Sequence, residues 1–330
     1  MEINYSKASD KERAAFEHFL QQWNDKSETI QVQTSGSTGI PQSIRLKKED
    51  MVKSAKRTLE YLGIERGGNS LICLSMETIA GKMMAVRSII GDLNIILSSV
   101  SSNPLLNIDD RIALCAMVPL QLENILMHRP ESLIRIDHLL IGGASVSPSL
   151  EKTASDHNLS FWHTYGMTET ISHVALRKGG KDGESFFTAL PGITFSEKNG
   201  KLIIHDPAIG HNELLTNDLV ELMSPTRFNY IGRADFMINS GGIKFNPEEL
   251  EKMISSMISS PYFIGGLPDE TLGEKIVLFI EGSIDDKTDP ERFRELLPKH
   301  ALPKEIIHVK AFTRTSSGKI NRFETMKPFR

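Results

Sequence analysis

Cysteine is nearly absent from this chain: Cys73 and Cys115 are the only two in 330 residues, and each sits inside an apolar run. A disulfide framework is therefore excluded, and buried thiols in a reducing compartment are expected. No apolar run approaches the roughly eighteen residues of a membrane-spanning helix. The N-terminal Met1-Glu2-Ile3-Asn4-Tyr5 has no basic segment leading into an apolar core, so a secretory leader is not expected and a cytoplasmic location is. Charge of one sign is also lacking. With 38 basic and 42 acidic side chains the net charge is −4, which gives no bulk attraction to nucleic acid or anionic membrane and leaves small molecules as the expected partners. There is no internal repeat and no low-complexity tract. What is present, 39% hydrophobic and 24% charged residues, is ordinary globular usage and enough for more than one core.

Hydrophobic periodicity predicts a helix over 10–23, with Ala14, Phe16, Phe19, Leu20 and Trp23 on one face, then a strand over 29–33. A second strand is predicted over 43–46 and a helix over 48–62 that ends at Gly63. Compact apolar runs at 70–75, 94–97, 112–117 and 138–141 have strand length, and helical patterns at 79–90 and 120–128 separate them. Such alternation predicts an α/β fold, a mostly parallel sheet with helices on its faces. Ligands sit beyond the carboxyl ends of such strands, which is where Gly142-Gly143-Ala144 and His163-Thr164-Tyr165-Gly166 fall. Beyond Leu190 the pattern turns to short alternating strands, predicting an antiparallel β-rich subdomain. Asp235 marks the expected boundary between a core domain, 1–235, and a small α+β domain, 236–330. The latter is predicted to hold a helix starting at Asn246-Pro247-Glu248-Glu249 and reaching 258, several strands, and a second helix over 290–297.

Four short segments stand out from this frame. Thr34-Ser35-Gly36-Ser37-Thr38-Gly39 packs two glycines and four hydroxyls into six positions, a composition suited to wrapping a polyphosphate with backbone N–H and hydroxyl donors. An ordinary surface turn has the same composition, and no Gly-Lys-Ser/Thr follows at Walker spacing. Tyr165-Gly166-Met167-Thr168-Glu169, Gly232-Arg233-Ala234-Asp235 running into Ser240-Gly241-Gly242, and Ser317-Gly318-Lys319-Ile320 follow in that order. Together they resemble the motif set of the adenylate-forming superfamily of acyl-CoA synthetases, peptide-synthetase adenylation domains and luciferases. The resemblance runs from about Thr34 to about Arg322, most of the chain.

The resemblance implies a two-step ligase: a carboxylate and ATP give an acyl-adenylate and pyrophosphate, and CoA then displaces AMP. Joining two anions is a problem of charge neutralisation and in-line positioning. By resemblance the segment 34–39 cradles the β- and γ-phosphates, Thr168 contacts the α-phosphate, Glu169 holds Mg²⁺, and Tyr165 stacks on the adenine beside Gly166. On the same resemblance Gly143 and Ala144, placed where a nucleotide would lie, also line the acyl pocket with Ala80-Gly81-Lys82-Met83-Met84, small residues leaving room for an aromatic ring. Asp218 is the ribose ligand, its carboxylate able to accept from both hydroxyls of a vicinal diol, and Arg233 adds a ribose or phosphate contact. Lys319 bridges the carboxylate and the α-phosphate in the first step. Gly241 and Gly242 line the pantetheine path in the second, after rotation of the C-terminal domain about a hinge at Asp235. Structural alternatives stand beside these roles: a core aromatic for Tyr165, a helix-start carboxylate for Glu169, and a surface ion pair for Asp218 and Arg233. Lys244 faces either CoA phosphate or solvent.

The continuation Thr170-Ile171-Ser172-His173 is similar to the o-succinylbenzoate–CoA ligases of menaquinone biosynthesis. His173, Arg177, Lys82 and Arg87 are candidates for that acid's second carboxylate or keto group, with surface charge as the alternative for each. Three departures accompany the resemblance. The glycine-rich segment begins at Thr34, where relatives place roughly a hundred residues before it, implying a reduced N-terminal subdomain with part of the pocket wall missing or supplied by a partner chain, and leaving a homo-oligomer open. Gln42 stands where the family has lysine, with Arg45 or Lys47 as possible substitutes. The segment Leu74-Ser75-Met76-Glu77 lacks the histidine common near the acyl tunnel. An enzyme that loads a carrier protein and a non-catalytic AMP- or ATP-binding relative are the rival readings.

Overall fold

The computed structural model describes residues 1–33, 43–258, 260–282, 290–315 and 319–330. The glycine-rich segment 34–39, Gln42 and the Ser317-Gly318 pair lie outside the described residues. The first part of the chain runs β1 (Ile3–Lys7), α1 (Asp10–Asn24), β2 (Thr29–Gln33), β3 (Ser43–Lys47), α2 (Lys48–Leu62), β4 (Asn69–Ile72), α3 (Ile79–Ile90), β5 (Asn94–Ser98) and β6 (Ile112–Met117). It continues with α4 (Pro119–His128), β7 (Ile136–Ile141), α5 (Pro148–Asp156) and β8 (Ser160–Gly166). Strands β1, β5, β4, β6, β7 and β8 pair in that order, all parallel.

Alternation on these strands explains the two layers of helix. Ile72, Ile95, Leu97, Leu114 and Leu140 point into a core shared with Phe16 and Phe19 of α1, Met51 of α2 and Met83 and Met84 of α3. Their neighbours Leu71, Ile96, Cys115, Leu139 and Ile141 point the other way, onto Leu122, Ile125 and Leu126 of α4 and Leu150 of α5. A strand buried on both faces reads as a continuous apolar run, and that is why these strands were visible in the sequence. The two thiols are free and buried, their sulfurs 3.9 Å apart.

Strands β9 (His173–Gly180), β10 (Phe187–Ala189), β11 (Thr194–Lys198), β12 (Lys201–Asp206), β13 (His211–Ser224) and β14 (Arg227–Arg233) extend the same sheet to twelve strands, in the order β8-β9-β10-β14-β13-β12-β11 and antiparallel throughout. The β-rich region is thus continuous with the parallel half and starts at His173, not after Leu190. A six-residue turn between β8 and β9 permits only antiparallel pairing.

A second sheet follows, formed by β15 (Ile238–Ser240), β16 (Ile243–Phe245), β17 (Tyr262–Asp269), β18 (Gly273–Glu281) and β19 (Glu305–Val309) in the order β16-β15-β18-β17, with β19 parallel to β18. Helix α6 (Pro247–Ile254) covers one face through Leu250 and Ile254, and α7 (Arg322–Met326) the other through Met326 beside Phe263, Phe279 and Phe312. Two expectations are corrected here. Helix α6 stops at Ile254, where Ser255 turns its hydroxyl back onto the Lys252 carbonyl, a side-chain bond that competes with further helix. The expected helix over 290–297 is a single 3₁₀ turn, Pro290–Phe293; between Pro290 and Pro298 that turn suffices to bury Phe293 and Leu297.

Candidate active site

The hairpin between β8 and β9 carries Tyr165, Gly166, Thr168 and Glu169, and its backbone is tightly fixed. The Thr170 hydroxyl accepts from Met167 N at 3.0 Å and lies 2.7 Å from the Ser172 carbonyl. His211 Nε2 sits 2.8 Å from the Glu169 carbonyl. Ile171 is held at φ +67°, a conformation costly for a β-branched residue. Gly166 admits no side chain, because a Cβ there would lie 2.2 Å from the Ser172 carbonyl oxygen. The turn buries Thr168 and leaves the Glu169 side chain exposed.

Next to this turn the sheet brings together residues far apart in sequence. The Tyr165 hydroxyl donates to Asp218 Oδ2 at 2.6 Å, and Arg233 Nη1 lies 3.5 Å from Asp218 Oδ1. Arg233 also grips Asp235 through Nε and Nη2 at 2.8 and 2.7 Å, and this bond, with the nearby Asp218 charge, holds its guanidinium firmly protonated. Asp218 faces Arg233 directly across the β13–β14 ladder. Burial and the Asp218 charge push the Tyr165 hydroxyl well above its ordinary range, so it stays a donor. Its ring packs on Phe187, Phe228 and Tyr230. Gly143 and Ala144 follow β7.

Lys319 lies in the segment between β19 and α7 and feels the charges of the same cluster. Crowding by protein atoms and the Arg233 charge lower its pKa, while Glu248 and Asp218 oppose that effect; the side chain keeps contact with solvent. Burial and the Glu248 charge hold the Tyr230 hydroxyl above its ordinary range, and neither residue was singled out as part of a site in the sequence. Glu248 had read only as a first-turn helix charge. Gly241 and Gly242 stand apart from this cluster. They form the two-residue turn between β15 and β16, both at positive φ, and such a turn demands glycine whatever else it binds.

The four candidates for a second acid group separate by their partners. Arg177 pairs with Glu151 at 2.5 Å, and Lys82 donates to the Met76 carbonyl. His173 is buried, with its Nε2 2.9 Å from the Thr58 hydroxyl. Burial and the Arg87 and Arg57 charges keep it neutral. Arg87, 2% exposed, donates to Ser172 Oγ at 2.8 Å. Among the described residues no carboxylate pairs with it, and its Nε has no partner.

A large half-parallel sheet, a signature turn beside a buried Tyr–Asp–Arg cluster, and a second small sheet define the adenylate-forming architecture. The chain belongs to the AMP-binding enzyme family, which matches residues 3–202. It is 26% identical over 351 residues to a 2-succinylbenzoate–CoA ligase of Listeria monocytogenes, covering 97% of this chain and 74% of that protein. The chain spans 65–74% of the length of the curated relatives it matches. A crystal structure described as an acyl-CoA synthetase (AMP-forming)/AMP-acid ligase II-like protein from Dyadobacter fermentans is 33% identical, with 97% of this chain and 95% of that one covered and a TM-score of 0.64. The Bacillus subtilis o-succinylbenzoate-CoA synthetase, solved with ATP and magnesium, shares the fold at 20% identity and TM-score 0.77, over 89% of this chain and 69% of that one. Among the described residues no helix is long and apolar enough to cross a membrane.

Proposed function

We propose that this protein is an ATP-dependent acid–CoA ligase that activates o-succinylbenzoate for menaquinone biosynthesis. The observation that carries the activity is the buried Tyr165–Asp218–Arg233 cluster beside the β8–β9 turn, with Lys319 within electrostatic reach of Asp218 and Arg233. A ribose diol suits the Asp218 carboxylate, and a lysine beside it suits a place where a carboxylate and an α-phosphate must meet. Arg87 supports the choice of acid: a buried guanidinium whose Nε has no partner and which pairs with no carboxylate among the described residues is matched to the second carboxylate of a dicarboxylic substrate. The relatives' names point the same way.

Among the described residues no three His, Cys, Asp or Glu side chains cluster as a metal site. Mg²⁺ is a hard cation commonly held by one or two carboxylates plus substrate phosphates. Exposed Glu169 would supply the carboxylate, and the ion would neutralise phosphate charge. Thr168 would contact the α-phosphate, residues 34–39 the β- and γ-phosphates, Tyr165 would stack on the adenine beside Gly166, and Gly143 and Ala144 would line the nucleotide and acyl pocket. We assign 1–235 to the nucleotide-binding core and 236–330 to a C-terminal domain that turns about Asp235, bringing Gly241 and Gly242 to the pantetheine of CoA.

The test is CoA- and ATP-dependent AMP release with o-succinylbenzoate, run beside benzoate, a fatty acid and acetate. Turnover confined to o-succinylbenzoate is expected. Turnover with no acid, despite measurable ATP binding, would overturn the proposal.

A further inference from the structure

Where the signature turn runs into β9, hydrogen bonds link Arg87 in series to the backbone of α2. Arg87 Nη2 donates to Ser172 Oγ at 2.8 Å and lies 3.4 Å from His173 Nδ1. A guanidinium has donors only, so Nδ1 accepts and carries no proton. The ring is neutral because it is buried beside cations, and its single proton therefore sits on Nε2, which lies 2.9 Å from Thr58 Oγ1. The Thr58 hydroxyl gives its own proton to the Ser54 carbonyl at 3.2 Å, which leaves its oxygen to accept from Nε2. The series thus runs in one direction, from Arg87 through His173 and Thr58 to the Ser54 carbonyl.

Thr58, Ser54, His173 and Arg87 are all buried, so water does not readily replace a bond lost from the series. Ser172 and His173 both reach Nη2, although neighbours on a strand point to opposite faces. They can do so because Ser172 still belongs to the turn, just after Ile171 at φ +67°, and β9 begins only at His173. Arg57, the other cation whose charge acts on the ring, is already paired with Asp206 through Nη1 and Nη2 at 2.7 and 2.9 Å. Arg87 has no such carboxylate among the described residues, and its Nε has no partner. One nitrogen of the guanidinium is pinned while another is left over for a ligand.

We propose that His173, as its Nε2–H tautomer, is a positioning residue for Arg87: its Nδ1, backed through the ring by Thr58 and the Ser54 carbonyl, fixes the guanidinium so that Nε is left to the second carboxylate of the substrate. The proposal rests on the reading of Arg87 as the receptor for that carboxylate. A ring with its proton on Nδ1 would set two donors face to face and turn the guanidinium aside. His173 touches no reacting atom, so it governs how tightly a dicarboxylic acid binds and not how fast the bound acid is adenylated.

The experiment compares the wild type with H173N, H173L and T58V. An asparagine amide keeps an acceptor near the Nδ1 position, whereas leucine keeps bulk and offers none. Dissociation constants for o-succinylbenzoate and benzoate are measured by calorimetry with α,β-methylene-ATP present, which blocks adenylation. H173L is expected to weaken o-succinylbenzoate about tenfold, the size of one charged hydrogen bond, and benzoate by less than about twofold. H173N should return to within about threefold of the wild type, and T58V should lose about threefold by leaving Nε2–H without its acceptor. In AMP release, KM for o-succinylbenzoate should rise with the dissociation constant while kcat stays within about twofold. Independently of any substrate, NMR of ¹⁵N-histidine-labelled protein, with H173N assigning the ring, should show His173 as the Nε2–H tautomer at neutral pH. A ring protonated at Nδ1 overturns the proposal whether or not the enzyme turns over. Equal weakening of both acids in H173L, or no rescue by H173N, would mark His173 as a structural residue and overturn it too. A wild type that does not bind o-succinylbenzoate would refute the receptor reading of Arg87 itself, and the positioning role with it.

Discussion

Replacing Arg87 by methionine should stabilise the free protein while crippling recognition of o-succinylbenzoate. Burial pushes the Arg87 guanidinium down to about 9 from its ordinary 12.5, so it remains charged at neutral pH without a carboxylate to neutralise it. At 1.36 kcal/mol per tenfold change in acidity, that displacement corresponds to roughly 5 kcal/mol of unrepaid desolvation. The hydrogen bond to Ser172 Oγ returns about 1.5–3 kcal/mol. Methionine keeps most of the aliphatic volume and leaves no charge to bury, so R87M should raise the unfolding free energy by about 2 kcal/mol, within the range seen when buried charges are replaced by apolar residues. Binding moves the other way. A substrate carboxylate buried without its cation costs about 3–5 kcal/mol, which is a rise of roughly 150-fold to several thousandfold in KM for o-succinylbenzoate, with benzoate binding changed by less than about threefold. Urea denaturation gives the first quantity; steady-state AMP release and ligand-induced thermal shifts give the second. Destabilisation of R87M by more than about 2 kcal/mol, together with equal loss for both acids, would identify Arg87 as structural and refute the anion-receptor argument.

Stability should also fall as the solution is acidified, because two histidines are folded in the neutral form. His163 is lowered to about 3 by burial and the Arg177 charge, and His173 is lowered by burial and the charges of Arg87 and Arg57. The unfolded chain takes up protons on both as pH drops through about 6.5 while the folded chain does not, so each removes up to about 1.4 kcal/mol per pH unit below that point, and nothing is lost above it. Urea midpoints at pH 7.5, 6 and 5 check this, and H173Q should remove about half of the slope. At the β15–β16 turn, Gly242 has φ +79° and open space around an added Cβ, so G242A should cost about 1 kcal/mol by backbone strain alone. Adenylation should be unchanged and the CoA step slowed; equal rates in both half-reactions would reduce the glycine pair to a turn requirement.

Much of this fold could be read from the chain because its signals are local. The ends of α2 follow from Glu49 and Asp50 in the first turn and from Gly63, which adopts the left-handed cap at φ +65°. Helix α5 carried an equally good start, with Ser147 accepting from Leu150 N and Pro148 at the first helical position, yet its short polar body hid it. Strand β1 was missed because five residues, Ile3 to Lys7, gain strand character only by pairing with β5.

The site divides along the same line, between what a motif marks and what a register decides. Tyr165, Asp218, Arg233 and Lys319 each lie in a short marked segment. Tyr230 does not, and strict strand alternation argues against it: three residues from Arg233, it belongs on the opposite face. A β-bulge at Ile231, where the register steps from Leu219↔Gly232 to Val220↔Tyr230, overturns that rule. One inserted residue flips every side chain before it to the other face, so Tyr230 and Arg233 come to lie on the same side, Tyr230 against the Tyr165 ring at 6.3 Å and Arg233 on Asp218. The same insertion exposes the carbonyl that Asn246 takes. A single slip in pairing thus adds a tyrosine to the side of the sheet that carries Tyr165 and Asp218 and creates the seat for α6. Its energy comes from contacts made by residues 246–248, distant in sequence from β13 and β14, and no window of sequence around Tyr230 contains them.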